Sequence, residues 1–399
     1  MGSQPNVVSG TAYSDDDVAH WLINGTRDER FIDDIFAELC VRLRQAGVPV
    51  KRGTLHIIIQ HPQWLGARMM WVDGKPGAEI DRVEYDVRER SQYIGSPTNE
   101  VHDGAAEVRE NLERDPSLGR KHAIYDDLRA DGLTDYVAWP LYHTLGKRHL
   151  VTFATDRPGG FEAAHIASLR KLLPLLALVS EIRVKNRLAR TLLETYVGPH
   201  ASEVILAGAT RRGTGATVSA AIMICDLRDF TRISDNWPRD NVIDLLNGYF
   251  DAMSEPIARY GGEILKFMGD GLLAIFPLSQ PSACANLLRA VSESRQAMAA
   301  LNERNSLNGL APLNYGIGVH VGDVMYGNIG SRSRLDFTVI GPAVNMASRL
   351  EALTKQLGRR VLLSSVFAEF VRNEFDLEDV GEHLIRGFSD PVELFAYHG

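Results

Sequence analysis

From Gly262 to Phe276 the chain spells a β-hairpin. An apolar run through Phe267-Met268 meets Gly269-Asp270-Gly271, and a second apolar run, Leu272–Phe276, follows. Glycines on both sides of Asp270 permit a tight reversal, so two antiparallel strands must meet with a carboxylate at their tip. Another apolar strand, Ala220–Cys225, ends on Asp226, and a turn leads to Phe230-Thr231. A third piece, Asp336-Phe337-Thr338-Val339-Ile340-Gly341, runs into Pro342, which starts a helix. Asn345 and Arg349 are four apart there and share one helix face. Taken singly, an Asp at a strand end is a turn former, Lys266 an exposed strand residue and Arg349 a surface charge. Their joint occurrence in this order points to chemistry. Carboxylates at two adjacent strand ends are what a two-metal phosphoryl-transfer site needs.

The rest of the chain reads as a separate half. At 399 residues it has room for two or three domains with their own cores. Residues 1–25, polar and with the acidic run Asp15-Asp16-Asp17, read as a flexible arm. Helical spacing of Phe31, Ile32, Ile35, Phe36, Leu39 and Leu43 predicts a helix over 27–45. Strand-like runs follow at Leu55–Ile59, Ala67–Val72, Val83–Val87, Tyr136–Tyr142 and His149–Thr155. Residues 26–165 therefore read as an α/β sensor-like domain of the GAF or PAS type. Over 166–216 a long exit helix carries Leu172, Leu175, Val179, Ile182, Asn186, Ala189, Leu193 and Tyr196 at three-four alternation. That is a heptad seam in which Asn186 would set the register of a parallel coiled coil; the other reading is an amphipathic helix lying on its own domain. Pro174 must sit near the helix start or kink it, and Gly198-Pro199 ends it.

With 43 basic and 51 acidic side chains the net charge is −8, and no basic tract stands out, which argues against nucleic-acid binding. The longest unbroken apolar run, Ala220–Cys225, is far too short for a membrane span, and no secretory segment opens the chain; a cytoplasmic location is expected. Cys40, Cys225 and Cys284 lie far apart and read as buried thiols.

Residues 217–399 resemble a class III nucleotidyl cyclase. The resemblance rests on Asp226 with Phe230-Thr231, on Lys266-Phe267-Met268-Gly269-Asp270-Gly271, and on Thr338-Val339-Ile340-Gly341 before Val344-Asn345-x-Ala347-Ser348-Arg349. It implies an α/β, ferredoxin-like catalytic domain that dimerises head to tail, preceded by a short transducing element at Leu192–Gly198. By motif position, Asp226 and Asp270 match the metal carboxylates, with the Leu227 carbonyl a further ligand for two Mg²⁺ or Mn²⁺ ions. Lys266 and Thr338 match the purine readers, Asn345 the ribose-orienting residue and Arg349 the group that stabilises charge on the α-phosphoryl. Arg386 matches the basic residue on the terminal phosphates, and Arg334, or the nearby Arg332, a helper.

A Lys donor and a Thr acceptor meet the N1 acceptor and N6 donor of adenine. Guanylyl-type members place Glu and Cys at those positions, so the expected activity is ATP to cyclic AMP. Guanylate cyclase and a catalytically silent nucleotide-binding regulator are the alternatives. Lys266 and Asp270 stand four residues apart on one hairpin, at most roughly 10–13 Å, and would face different ends of a nucleotide. The resemblance resolves this with a homodimer whose two protomers share each site. The N-terminal half is expected to answer to a small-molecule or protein regulator. Trp64, Trp71, Trp139 and Tyr142 are candidates for a pocket wall or for core aromatics. His56, His61 and His143 have no metal-ligand spacing.

Overall fold

A computed structural model describes residues 14–59, 64–90, 92–114, 122–310, 312–387 and 390–399. The chain divides into two compact units, Met1–Thr191 and Leu192–Gly399.

The first unit is built on six antiparallel strands: β1 (Arg52–Ile58), β2 (Gly66–Val72), β3 (Glu79–Val83), β4 (Val108–Asn111), β5 (Asp135–Tyr142) and β6 (Arg148–Thr155). They lie in the order β3-β2-β1-β6-β5-β4. Alternation of side chains along each strand makes two faces. Leu55, Ile57, Met69, Trp71, Val137, Trp139, Val151 and Phe153 cluster with the apolar stripe of helix α2 (Ile32–Gln45). Tyr136, Ala138, Leu150 and Ala154 cluster instead with the short helices α3 (Pro97–His102) and α4 (Ala123–Ala130). Asp135 is fully buried, where Arg109 Nη2 donates to it at 2.6 Å and Phe161 N–H at 2.9 Å.

Helix α5 (Ala163–Val197) leaves this unit and runs 35 residues. Ile166, Leu169, Leu172, Leu176 and Val179 are buried in the unit's own core. The expected seam therefore does not start at Leu172, because Leu172 and Val179 already serve the sheet. Ile182 (45% exposed), Asn186 and Tyr196 (78% exposed) remain open. Pro174 lies inside this helix rather than near its start. By length and composition α5 is long and apolar enough to cross a membrane, and part of its apolar stretch is buried. Pro174 and scattered polar residues divide its apolar stretch into short runs.

Two further expectations change. Residues 15–20 form helix α1, capped by Ser14, whose Oγ accepts from Asp17 N–H while the Asp17 carboxylate accepts from Ser14 N–H at 2.9 Å. The acidic run is a helix N-terminus, where negative charge is favoured. Val18 and Leu22 are fully buried, so residues 14–25 are no loose arm, while residues 1–13 lie outside the described residues. The strand expected at Val83–Val87 instead ends at Val83, and Tyr85–Glu89 form a 3₁₀ turn.

The second unit opens with helix α6 (Pro199–Leu206). Gly198, at φ 90°, breaks α5 from it, and Pro199 sits in its first turn. Strand β7 (Gly215–Leu227) is followed by helices α7 (Phe230–Asn236) and α8 (Arg239–Arg259), the hairpin β8 (Glu263–Met268) and β9 (Gly271–Pro277), helix α9 (Ala283–Leu307) and strand β10 (Tyr315–Gly330). Spatially these strands run β10-β7-β9-β8, all antiparallel, which is the ferredoxin-like split βαβ order. Strand β11 (Leu335–Ile340) folds back on the end of β10, and helix α10 (Pro342–Leu357) leads to β12 (Val361–Ser364), parallel to the start of β10. Helix α11 (Ser365–Val371) and strands β13 (Leu377–His383) and β14 (Val392–Tyr397) complete the sheet. Met223, Cys225, Tyr249, Met253, Leu287 and Val291 form a core with α8 and α9 on one face. Ile222, Ile224, Ile275, Ala343 and Ala347 form another with α10 on the opposite face.

Candidate active site

Asp226 is the next-to-last residue of β7 and stands on the α10 face, paired with Gly271 on β9 and Gly316 on β10. Gly271 has no side chain for a reason: a Cβ there would meet Asp226 Oδ1 at 2.8 Å. Asp270 follows Gly269 in a two-residue turn. Gly269 has φ 70°, the positive angle that a Gly-first hairpin turn demands. The expected hairpin and its carboxylate tip are both present.

Helix α10 brings a third carboxylate that the motif reading passed over. Gly316 and Gly318 let α10 rest directly on β10, since a Cβ at Gly316 would approach Glu351 Oε1 at 2.7 Å. Burial is the main cause that raises the Glu351 carboxyl to about 7, with Asp226 and then Asp270 adding to it and Arg228 opposing. Asp226 is pushed up to about 6, by burial first and by Asp270 second, against a hydrogen bond from Leu227 N–H. Asp270 is raised by burial. Among the described residues no Lys, Arg or His lies within ion-pair distance of any of the three, so their mutual repulsion calls for a cation. A divalent ion fits this donor set, because hard carboxylate oxygens are its preferred ligands. Among the described residues no group of three or more His, Cys, Asp or Glu could hold a metal ion, so Glu351 does not join Asp226 and Asp270 as a ligand, and substrate and water would have to complete the shell. Leu227 has its side chain in the core at 5% exposure, which leaves only its carbonyl for such a site.

The residues expected on the purine side gather elsewhere in the unit. Lys266 on β8 and Thr338 on β11 line one cavity of about 710 Å³, together with Glu194–His200 of the α5–α6 joint. Lys266 Nζ donates to Asp336 Oδ2 at 3.1 Å, an ion pair between two half-exposed side chains. Asp336 stands two residues before Thr338, hence on the same strand face. The joint itself is tied down by Glu263 on β8. Its carboxylate accepts from Tyr326 Oη at 3.1 Å and from the His200 and Ala201 N–H groups at the start of α6. Burial raises the Glu263 carboxyl, and those hydrogen bonds oppose the rise. Tyr326 stacks on His200, with ring centroids 5.3 Å apart, and meets Phe337 edge-on at 4.8 Å.

Asn345 is exposed in the first turn of α10, and Arg349 lies one turn further. Arg349 reaches the backbone beside Arg386: a Cβ on Gly387 would meet its Nη2 at 3.0 Å. Those two arginines are thus neighbours. Arg334 stands exposed in the β10–β11 turn, where its N–H donates to Ser331 Oγ at 3.0 Å, and no described hydrogen bond or ion pair joins it to the other site residues. In the first unit, Trp71 and Trp139 are core residues at 3% exposure, whereas Tyr142 is 60% exposed, so the four aromatics do not form one pocket. His56 and His143 bond Thr54 and Ser180 respectively, and His61 lies outside the described residues.

Residues 215–399 match the family described as adenylate and guanylate cyclase catalytic domain. An adenylate cyclase of Anabaena cylindrica is 38% identical over 156 residues, which are 38% of this chain and 30% of that protein. Adenylate cyclase 1 of Rhizobium meliloti is 29% identical over 179 residues, 44% of this chain and 27% of its own. The crystal structure of the adenylyl cyclase CyaB from P. aeruginosa is 30% identical with a TM-score of 0.43, covering 47% of this chain and 96% of that one. The chain thus spans less than a third of the length of these two curated relatives. Through residues 215–399 it belongs to the adenylate and guanylate cyclase catalytic domain family.

Proposed function

We propose that the chain is an adenylate cyclase that converts ATP to 3′,5′-cyclic AMP and pyrophosphate. The observation that carries this reading is the pairing of two sites in one unit. An unneutralised carboxylate group at Asp226, Asp270 and Glu351 stands with a cavity lined by a Lys donor and a Thr hydroxyl. Lys266 donates to adenine N1 and Thr338 accepts from N6, whereas guanine would present the reverse pattern. Asn345 orients the ribose. Arg349 gains its strongest contacts as charge builds on the α-phosphoryl oxygens, and Arg386 beside it neutralises the departing pyrophosphate. Two Mg²⁺ or Mn²⁺ ions held by Asp226, Asp270 and the Leu227 carbonyl would lower the pKa of the ribose 3′-hydroxyl and screen the triphosphate. The test is incubation with ATP or GTP and Mn²⁺. Cyclic AMP is expected in excess over cyclic GMP, and a folded protein that makes neither refutes the reading.

A homodimer with shared sites belongs to the same proposal. Met325 and Ile340 pair across β10 and β11, and both are about half exposed, as is Phe267 next to Lys266. Such an apolar surface around the purine readers supports a second chain seated there. Asp226→Ala and Lys266→Ala proteins should each be inactive, and a mixture with proven subunit exchange should regain activity. No regain would sink the shared site. The first unit is a GAF/PAS-like sensor in this reading, supported by its six-stranded antiparallel sheet with helices on both faces. The seam that would pair in a coil begins at Ile182.

A further inference from the structure

On the α3–α4 face of the first unit, three strands lay two rows of side chains side by side. His56, Arg68 and Asp81 stand opposite one another across β1, β2 and β3, and Ile58, Gly66 and Val83 form the next row. Residues two apart on a strand share a face, so both rows floor one cavity of about 280 Å³. Val87 and Arg88 of the 3₁₀ turn and Ile124 of α4 contribute to its walls. Ile58, Val83, Val87 and Ile124 are each only partly buried. An apolar body seated there would finish covering them, and the volume sets it as a small one.

His56 lies in the polar row. Burial first, and Arg68 second, pull it down to about 3, so its ring is neutral. Its Nε2 is 2.9 Å from Thr54 Oγ1, which in turn lies 2.6 Å from Thr152 Oγ1. Nδ1 is left over. It has no described hydrogen-bond partner, yet it is not among the buried atoms that lack one, so it keeps accessible surface on the cavity floor. A neutral imidazole asks for a hydrogen bond rather than a charge. A hydroxyl can donate or accept, and so serves either tautomer.

Charge enters from the rim. Arg68 is paired with Asp81, and Arg90 with Asp86. Arg82 lies over the Trp64 ring at 5.9 Å, and Arg88 is exposed with no described hydrogen bond or ion pair. Arg82 and Arg88 against Glu84 leave one positive charge unmatched, which suits a monoanion; Asp81 and Glu84 on the same wall would repel a second negative charge. We propose that this cavity binds a small hydroxy-carboxylic acid, its apolar body over Ile58 and Val83, its hydroxyl on His56 Nδ1 and its carboxylate at Arg88. Binding stands on the cavity alone. Only an effect on cyclic AMP formation would rest on the reading of the first unit as a regulator of the cyclase.

The experiment is isothermal titration of the full chain with 4-hydroxybenzoate in one arm and 6-hydroxyhexanoate in the other, a ring and a chain with the same two polar ends. Saturable binding of one equivalent per chain is expected in at least one arm, and the neutral amide of that acid should bind about tenfold more weakly. Arg88→Gln, an exposed change, should weaken the acid about threefold. Val83→Phe, at the end of the edge strand β3, should fill the cavity and weaken it by about tenfold or more. Circular dichroism checks that both variants melt as the parent does. No saturable heat from either acid up to about 10 mM overturns the proposal, as does an amide that binds as tightly as its acid. So does binding untouched by both variants, since the acid then sits elsewhere, such as on the arginines of the second unit. Cyclic AMP formation is followed in the same samples. A rate that responds to the acid, and stops responding in Val83→Phe, supports regulation, while an indifferent rate refutes it and leaves the site standing. A chain that binds the acid and makes no cyclic AMP overturns the cyclase reading alone.

Discussion

Replacing Gly318 by Ala should disable catalysis while leaving the fold in place. Gly318 lies in β10 directly beneath α10, where a Cβ would come within 2.1 Å of the Ala347 carbonyl oxygen and 2.3 Å of Glu351 N. Ordinary contact begins near about 3.5 Å, so the helix must retreat by more than an ångström. Both obstacles are backbone atoms and cannot rotate aside. Strand β10 is held between β7 and β12, which leaves α10 as the element that gives way. It carries Asn345, Arg349 and Glu351. Overpacking of this kind costs about 1–3 kcal/mol, survivable for a unit this size, while a misplacement of about 1 Å is worth about 100-fold in rate. Cyclic AMP production from ATP and Mn²⁺ should fall by roughly that factor, with a modest drop in the thermal midpoint by circular dichroism. Gly248→Ala is the control. There a Cβ meets only the flexible Leu301 side chain, nearest at 3.2 Å. In the interior of α8 the change should be neutral or stabilising by about 0.5–1 kcal/mol. A cooperatively melting Gly318→Ala protein within about threefold of the parent rate, against the expected ~100-fold loss, would refute the argument that close helix–strand contact positions the site.

Asp135→Asn strips a fully buried carboxylate from Arg109, whose side chain is 36% exposed. Discounted for that exposure, the loss should be about 2–3 kcal/mol by urea denaturation, and a value near zero would mean that the pair is incidental. His149, 1% exposed, is pulled down to about 3, by burial first and by His143 and Lys147 after it. Above pH ~6.5 it is neutral whether folded or unfolded and contributes nothing. As pH falls below that value the unfolded chain takes up a proton that the folded chain refuses, so stability drops by roughly 2 kcal/mol at pH 5. Tryptophan-monitored denaturation should show that slope, and His149→Gln should reduce it by the share of one histidine, since His56 is also depressed to about 3. Asp336→Asn removes the partner of Lys266 at an exposed pair, so stability should change by no more than about 1 kcal/mol while KM for ATP rises and kcat holds. A falling KM would mean instead that Asp336 competes with the purine.

The elements that sequence logic found were those marked by local stereochemistry. Gly269 needs its positive φ, Pro342 fits the first turn of α10, and Gly198 with Pro199 ends α5, so each could be read without knowledge of neighbours. Asp226 was visible because an apolar strand stops there. Glu351 was not, because it lies off the face shared by Asn345 and Arg349 and becomes significant only when α10 settles on β10. The pair Gly316 and Gly318 held the signal, since two glycines in a buried strand mark a close backbone approach. Asp336 was hidden for the opposite reason: its partner is 70 residues away. In α5 the three-four alternation was real, but periodicity cannot say whether an apolar stripe faces a partner chain or its own sheet.

Glu263 has a kinetic corollary. One carboxylate holds the start of α6 and the Tyr326 hydroxyl, while β8, the strand it stands on, presents Lys266 three residues later. Tyr326 in turn packs on Phe337, between Asp336 and Thr338. Both strands that carry the proposed purine readers are thereby hung on the joint at Gly198, whereas no described hydrogen bond ties Asp226, Asp270 or Glu351 to it. An input arriving along the exit helix would then be felt as a change in nucleotide affinity and in the ratio of ATP to GTP use. The divalent-ion activation curve would stay where it was.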